Sequence, residues 1–137
     1  MDKLTRAYLD HGKISEEMTF FEKFLEVFEA GEVQSYIERL RNFSDEYIVE
    51  HFKFEEEEIF PLIFQHGNAK EKRMAQELQE EHAEILGQLI KFKGIVFSYG
   101  SQPNEKQVEE IMLSSRMVVK MILAHARKED VLLFPNL

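Results

Sequence analysis

Two stretches of the chain repeat the same spacing of histidine, glutamate, phenylalanine and proline. In the first, Glu55 follows His51 by four residues, and in the second, Glu129 follows His125 by four. Phe and Pro come nine and ten residues after the histidine in both copies. Four residues make about one helical turn, so each histidine and its glutamate would lie one above the other on one helix face. Imidazole nitrogens and carboxylate oxygens are ligands for divalent metals, and the repeat therefore predicts metal binding.

A shorter repeat, an acidic residue followed by His, two further residues and Ile, precedes each copy. It begins with Asp10 and His11 in the first half and with Glu81 and His82 in the second. Four of the five histidines belong to this duplicated frame. The fifth, His66, lies outside it at a predicted helix end, where the helix dipole favours a protonated imidazole, and we interpret it as a non-ligand.

Helical periodicity extends over four long segments separated by short turns. Apolar residues recur at steps of three and four over residues 2–30, 33–64, 70–99 and 105–132. Gly31 is predicted to end the first helix, and Pro61 to kink or end the second, because proline lacks a backbone N–H. Turns are predicted at 66–68 and 100–104. With no strand-like alternation, the pattern predicts an all-α fold: an up-down-up-down antiparallel four-helix bundle that forms a single domain over 1–137.

The histidines of the frame lie on the apolar stripes that would form the bundle core. Each belongs to the stripe of a different helix, and Glu55 and Glu129 lie one turn further along the second and fourth stripes. Among the other predicted stripe members are Leu4, Tyr8, Ile14, Met18, Phe21, Leu25, Phe28, Ile37, Leu40, Ser44, Tyr47, Ile59, Leu62, Met74, Leu78, Ile85, Leu89, Phe92, Val96, Ile111, Val118, Ile122 and Leu132. In an antiparallel bundle the four stripes meet, so four imidazoles and two carboxylates are directed inward.

Ordinary packing accounts for each of these residues taken alone. A single histidine on an apolar face is usually a core residue with one hydrogen-bond partner, and a His-x-x-x-Glu surface pair contributes only about 0.2–0.5 kcal/mol. The six together are different, because burying two glutamates in an apolar core without partners is costly. Two divalent cations would remove that cost. The predicted metal ligands are His11, His51, Glu55, His82, His125 and Glu129.

Other residues near the frame have weaker interpretations. The acidic run 56–58 is interpreted as a solvated helix face, and Asp130 as a surface residue or as a carboxylate behind the ligands. Tyr47 could donate a hydrogen bond near the site, although aromatic core packing is the commoner role. Gly12 and Gly87 could let helices approach closely beside the histidines.

The composition excludes several classes of function. Without Cys, the chain has no disulfide, no thiolate nucleophile and no Cys-ligated metal site. A net charge of −9 and the lack of a basic stripe argue against nucleic-acid binding. No apolar run is long enough to cross a bilayer, and residues 1–10 carry mixed charge instead of the apolar segment of a signal peptide, so we expect a cytoplasmic protein with no membrane partner.

These residues, in this order, resemble the hemerythrin-like, or HHE cation-binding, domain family over essentially the whole chain. The resemblance implies a non-haem di-iron centre, with two iron ions bridged by both carboxylates and by oxide or hydroxide, and with the histidines as terminal ligands. Zinc or manganese could occupy such ligands in place of iron. Oxygen-carrying hemerythrins have a further histidine one turn before the third-helix ligand, where this chain has Leu78. They also use His-x-x-x-x-Asp in the last helix, a spacing that Asp130 would satisfy, whereas Glu129 satisfies the duplicated one.

The resemblance implies a protein that binds or senses O2, NO or iron. The alternative is a di-iron oxidoreductase or repair protein that acts on peroxide or NO, or donates iron, in oxidative or nitrosative stress, so whether the chain is an enzyme stays open. A metal-free helical interaction module is a third interpretation. The expected partners are O2, NO or peroxide. The sequence leaves open which histidines share a metal and what the oligomeric state is.

Overall fold

Four long helices make up the fold. The computed structural model of the chain describes residues 2–137. Helix α1 is Lys3–Glu26, α2 covers residues 33–66, α3 is Ala69–Tyr99 and α4 is Glu105–Lys128, which continues through a π-helical turn at Glu129–Leu133 and a 3-10 turn at Phe134–Asn136. Short loops reverse the chain between consecutive helices, and no strand forms in the described range. The predicted all-α antiparallel bundle is therefore confirmed.

Local side-chain chemistry fixes where the helices begin and end. Asp2 accepts a hydrogen bond from a backbone N–H in the first turn of α1, and Asn68 and Asn104 each form a capping box at the start of α3 and α4. At Gly67, a Cβ would lie 2.7 Å from a backbone carbonyl oxygen, so the tight connection before α3 requires glycine. Gly100 closes α3 with φ of 72°, which glycine adopts without strain. Both predicted turns are confirmed.

The helices pack in a ring, in which α1 and α3 each contact both α2 and α4. The interior contains two separate apolar clusters. The larger one includes Met18, Ile48 and Ile122, and the smaller one includes Ile59 and Leu133. None of the helices within residues 2–137 combines the length and the apolar character that a bilayer-spanning segment requires.

Helix α2 is interrupted by two π-helical turns and continues past its proline. Its α-helical segments are Val33–Phe43, Val49–Phe54 and Phe60–His66, and the π turns are Ser44–Ile48 and Glu55–Ile59. Pro61 is the second residue of the last segment, where its missing N–H needs no partner. Of the two outcomes predicted at Pro61, a kink or an end, the end was wrong, because the π turn before the proline accommodates it and the helix continues to His66.

The π turns also shift which residues face the core. A π turn contains one more residue than an α turn, so the residues that follow it are displaced by one position around the helix. After Glu129, Leu133 is fully buried and Leu132 is 44% exposed. In α2, Ile63 is buried and Leu62 only half-buried. The predicted core positions Leu62 and Leu132 were wrong because uninterrupted α-helical periodicity was assumed.

Helix α1 ends one turn earlier than predicted. Its last residue is Glu26, and Val27 leaves the helical conformation with φ of −140°. Phe28 then stacks on Phe24, with ring centroids 6.1 Å apart, and this apolar contact covers the end of the helix. Gly31 lies in the 3-10 turn Ala30–Glu32 that leads into α2.

The shifted register predicts unequal effects of two neighbouring leucine substitutions. Leu133→Ala should lower the free energy of unfolding by about 2–5 kcal/mol, because it leaves a cavity in the smaller apolar cluster. Leu132→Ala, the matched control, should cost less than about 1 kcal/mol. Urea unfolding of both variants in the same metal-loading state measures the difference. Equal losses would mean that the last π turn does not form.

Candidate metal centre

A layer of polar side chains separates the two apolar clusters. On α3, His82 lies between Leu78 of the smaller cluster and Ile85 of the larger. In each of the other three helices as well, the polar residues lie between a residue of the smaller cluster and a residue of the larger one. All six predicted ligands are at most 3% exposed. The chain therefore places four of its five histidines and two of its glutamates in the interior of the bundle, away from solvent.

The six side chains form two overlapping groups of four. The histidines of α1 and α2 belong to one group and those of α3 and α4 to the other, whereas Glu55 and Glu129 belong to both. Within each group, one ligand atom from each residue lies within 4.8 Å of all the others. The structure thus groups His11 with His51 and His82 with His125, where the sequence gave no grouping.

Each glutamate lies between imidazoles of both groups. Glu55 Oε1 is 3.1 Å from His51 Nε2 and 3.2 Å from His82 Nε2. Glu129 Oε1 is 3.1 Å from the Nε2 atom of the α1 histidine and 3.3 Å from that of the α4 histidine. Two ligand atoms that each lie about 2.0–2.2 Å from one metal ion, at roughly right angles, are about 3 Å apart. The separations therefore suit shared cations.

A second carboxylate lies behind each imidazole. The Nδ1 atom of every one of the four histidines is 2.8–3.2 Å from an Asp or Glu oxygen: Asp130 for His11, Asp10 for His51, Glu56 for His82 and Glu81 for His125. Ionised carboxylates only accept hydrogen bonds, so each Nδ1 carries the proton and donates it. This arrangement directs Nε2 to the centre and raises its basicity as a metal ligand.

These outer carboxylates follow the duplicated frame. In each half, the acid immediately before the first histidine accepts from the second histidine of the same half. The acid immediately after each central glutamate accepts from the first histidine of the other half. Glu56, interpreted from the sequence as part of a solvated face, is partly exposed but also holds His82. The acid-His repeat was visible in the sequence, but these partners lie on different helices and only the folded chain brings them together.

Phenylalanines pack against the same imidazoles. Phe60 and Phe134, which belong to the two copies of the repeat, have ring centroids 5.3 Å from that of His82 and 4.7 Å from that of His11. Phe52 stacks on His82 with centroids 3.9 Å apart and an interplanar angle of 8°. Imidazoles confined in this way between aromatic rings and carboxylates keep one orientation.

The neighbouring carboxylates determine the protonation of the metal-free centre. Burial alone would lower the pKa of His11, but Asp130, Glu129 and Glu55 outweigh it and raise that pKa to about 11. Burial also opposes the charged form of His82, whose pKa is nevertheless raised to about 9 by Glu129 and Glu55. At neutral pH, without metal, both of these imidazoles are therefore protonated.

The two central glutamates are shifted in the opposite direction. Burial would raise the pKa of Glu55, but the surrounding histidines hold it well below its usual value of 4.5. Burial and the charge of Glu55 raise the pKa of Glu129, but the neighbouring imidazoles of His11, His125 and His82 lower it overall. Both carboxylates are therefore ionised at neutral pH and available as ligands.

Unpaired polar atoms in this layer show that the residues fit a cation. Of eight buried side-chain N and O atoms without a hydrogen-bond partner in residues 2–137, one is Ser44 Oγ and the other seven belong to the centre. These seven are the Nε2 atoms of His51, His82 and His125 and all four oxygens of Glu55 and Glu129. An unpaired buried polar group costs about 1–3 kcal/mol, and more when charged. Imidazole and carboxylate together suit divalent transition metals.

The two halves differ four residues before their second histidine. The first half has Tyr47, whose hydroxyl donates a hydrogen bond of 3.1 Å to Asp10 Oδ1. The aromatic ring of Tyr47 also stacks on Phe43, with centroids 5.1 Å apart. The sequence allowed Tyr47 either a hydrogen bond or a packing role, and it has both.

Met121 occupies the corresponding position in the second half, and a cavity lies beside it. The cavity has a volume of about 170 Å³ between α3 and α4, and its wall includes His125, Glu81 and Lys128. Lys128 donates a hydrogen bond of 2.7 Å to Glu81 Oε2 at this wall. The second half thus has open space beside one of its histidines.

The remaining candidates lie outside the centre. His66 is exposed and belongs to neither group. Tyr8 is 44% exposed and packs edge-on against Phe134, so its predicted core position was wrong; Ala7 is buried there instead. A Cβ added at Gly12 or Gly87 would meet nothing within 4 Å, so neither glycine brings two helices of this chain together.

Comparison with known proteins identifies one family. The family described as Hemerythrin HHE cation binding domain matches residues 4–137, which include all six central residues and all four outer carboxylates. No curated protein and no solved structure matches the chain.

The raised histidine pKa values predict that metal affinity increases with pH. His11 in one group and His82 in the other must each lose the Nε2 proton before that atom can bind a cation, so affinity should rise at least about tenfold per pH unit for each ion. The rise should continue until the pH passes about 9 for the His82 group and about 11 for the His11 group. Competition between the protein and a chelator for Zn²⁺ at several pH values measures it. An affinity independent of pH would contradict these protonation states.

The same pKa shifts fix the stability of the metal-free protein. Protonated His11 and His82 stabilise the fold fully below pH about 6.5, and this contribution is lost as the pH rises through about 9 and 11. The lowered pKa values of Glu55 and Glu129 add a contribution that is present above pH about 4.5 and lost in more acidic solution.

Removing an outer carboxylate should weaken metal binding without removing a ligand. Glu56→Gln takes the negative charge away from His82, and we expect a loss of about 10–100-fold in affinity. Glu57→Gln is the matched control, because it makes the same change at the next, exposed residue and should leave affinity unchanged. Isothermal titration with Zn²⁺ compares the two. Equal effects would show that only overall charge matters.

Proposed function

The chain belongs to the hemerythrin HHE cation-binding domain family, and from that membership and the geometry of its centre we propose a di-iron protein that binds or senses O2 or NO. The observation that carries the proposal is that two groups of possible ligands share both of their carboxylates. A single carboxylate common to both groups could be explained by two separate metal sites that happen to be neighbours. Two shared carboxylates, each in contact with imidazoles of both groups, support a pair of ions held side by side.

The ligands of the proposed pair come from all four helices. His11 and His51 would hold one ion, His82 and His125 the other, and Glu55 and Glu129 both. Two histidines and two carboxylates leave about two positions of an octahedron open at each ion. We therefore propose a centre with room for an external ligand.

Iron in this centre would supply one-electron redox chemistry and affinity for a diatomic ligand. The chain's own residues orient and enclose the centre. The outer carboxylates keep Nδ1 protonated and Nε2 directed inward, and the phenylalanine rings exclude water. The cavity beside His125 and Met121 gives a small molecule an approach between α3 and α4.

Reversible binding is favoured over catalysis by the state of the nearest acids. All four outer carboxylates already accept hydrogen bonds from the histidines. Glu81 has an ion pair with Lys128 as well. A general acid or base needs a group that is free to exchange a proton with substrate. Each of these four carboxylates is instead committed to holding an imidazole.

Metal content tests the proposed centre directly. Protein purified without oxygen should contain about two iron ions per chain, and its oxidised form should show near-ultraviolet charge-transfer absorption. Glu55→Ala should retain less than half of the metal and unfold at lower temperature, because it removes a ligand from both groups and metal binding contributes to folding. Glu57→Ala, two residues further on and exposed, lies outside both groups and should keep the full content. Retention of both ions by Glu55→Ala would exclude the shared carboxylate.

Exposure of the reduced protein to NO or O2 separates binding from catalysis. A stable change in the visible spectrum, reversed when the gas is removed, is the expected result. Continued consumption of NO or peroxide in the presence of a reductant would favour the oxidoreductase alternative and overturn the binding proposal. No spectral change with either gas would exclude the binding proposal.

A further inference from the structure

We propose that two copies of this chain associate through the outer face of α3, in an antiparallel contact with a two-fold axis at Ile90. The contact consists of five residues, called here the α3 stripe: Ala83, Gly87, Ile90, Gly94 and Phe97. They follow one another at steps of four, three, four and three, which places them on one face of the helix. This face lies away from the one that buries Leu78, His82, Ile85, Leu89 and Phe92.

The α3 stripe is apolar and exposed. Phe97 is 89% exposed and Ile90 is 69% exposed, the highest values for large apolar side chains in the four helices of the described chain. Ala83, Gly87 and Gly94 are exposed as well. No member is charged, although 31% of the residues in the chain are. An aromatic and a branched aliphatic side chain on one charge-free face indicate an interaction surface.

Residue sizes along the stripe are complementary to those of a second, antiparallel copy. Phe97 lies seven residues after Ile90 and Ala83 seven residues before it, so a two-fold axis at Ile90 sets each Phe97 opposite the other copy's Ala83. Seven residues correspond to about 10.5 Å along the helix. Gly87 would lie within one residue of facing Gly94, and the two Ile90 side chains would meet on the axis. The largest residue of the stripe thus opposes a small one, and the same patch serves both copies, as a closed dimer requires.

The glycines permit the close approach that this contact needs. A Cβ added at Gly87 or Gly94 would meet nothing within 4 Å, so both face open space in the single chain. Glycine in the middle of a helix costs about 0.5–1 kcal/mol relative to alanine. Two glycines on one face, without a packing role inside the chain, are explained by a neighbour outside it. Packed helices are typically 8–10 Å apart, and glycine pairs favour the lower end of that range.

The area available predicts a weak dimer. A buried aromatic side chain contributes about 150–250 Å², so the two Phe97 rings supply about 300–500 Å². Stable interfaces bury about 1,200–2,000 Å² in total. The Ile90 pair and the flanks of α3 would bring the sum only near the lower limit, so we expect a weak dimer. Because each chain carries a net charge of −9, added salt should strengthen the association by screening repulsion.

Sedimentation analysis of the metal-loaded full chain at micromolar concentrations tests this contact. We expect a monomer–dimer equilibrium that shifts towards dimer with salt. Phe97→Glu should raise the dissociation constant at least tenfold, and Ala83→Phe should do so without a change of charge because two large rings would then collide. Leu113→Glu is the matched control on α4, where a 65% exposed leucine lies outside the stripe, and it should leave the equilibrium unchanged. A wild-type chain that is monomeric throughout, even if another protein binds this face, overturns the proposal.

Cross-linking tests the position of the axis. The chain has no cysteine of its own, so Ile90→Cys introduces one thiol per copy. Mild oxidation should link the Ile90→Cys chains into covalent dimers much faster than Leu113→Cys chains, because only residues on the axis approach their own counterparts. Equal rates would contradict the antiparallel arrangement even if a dimer exists. Circular dichroism shows that each variant is folded.

Discussion

Two ionised glutamates buried among four imidazoles are the constraint on which the rest of the molecule depends. In an apolar interior the two carboxylates repel each other, lose their hydration and keep lone pairs without hydrogen-bond partners. Their negative charge must therefore be balanced by positive charge. Without metal the balance comes from protons on His11 and His82. With metal, cations take the place of those protons. The centre is therefore polar and buried in either state, and the apolar clusters on both sides keep it so.

The surroundings of the centre are built by repetition. One half of the chain supplies an acid, a histidine, a second histidine, a glutamate, another acid and a phenylalanine, and the other half supplies the same series. The acids of each half accept hydrogen bonds from the second histidine of the same half and from the first histidine of the other half. Neither half can therefore form the complete hydrogen-bonded shell alone. The interlocked contacts couple α1 to α4 and α2 to α3 through polar groups, in addition to apolar packing.

The grouping of the six central residues was predictable from sequence because they share the period of the helices that carry them. A histidine and a glutamate four residues apart on an apolar stripe must face the same interior, whatever the details of packing. Partners on different helices were not predictable in this way: the link from Asp130 to His11 spans 119 positions in the chain. The prediction that Leu132 and Leu62 lie in the core was wrong for a local reason. Helical periodicity assumes the same number of residues in every turn, and the π turns contain one more.

The role of Gly87 could not be predicted from the sequence. Beside His82, Gly87 suggested close contact between helices of the same chain, whereas the folded chain leaves it facing open space. A glycine in the sequence marks a position where another helix can approach closely, but it does not show whether that helix belongs to the same chain. The orientation of α3, which turns His82 inward and Gly87 outward, decides between the two.

The unequal neighbours of His51 and His125 make the two sides of the centre chemically distinct. On one side, an aromatic ring and its hydroxyl fill the space behind the Asp10 carboxylate; on the other, a thioether borders a void. Exchange with solvent is therefore easier on the side of α3 and α4. Two cations held as proposed would then exchange at different rates, the one between α1 and α2 more slowly.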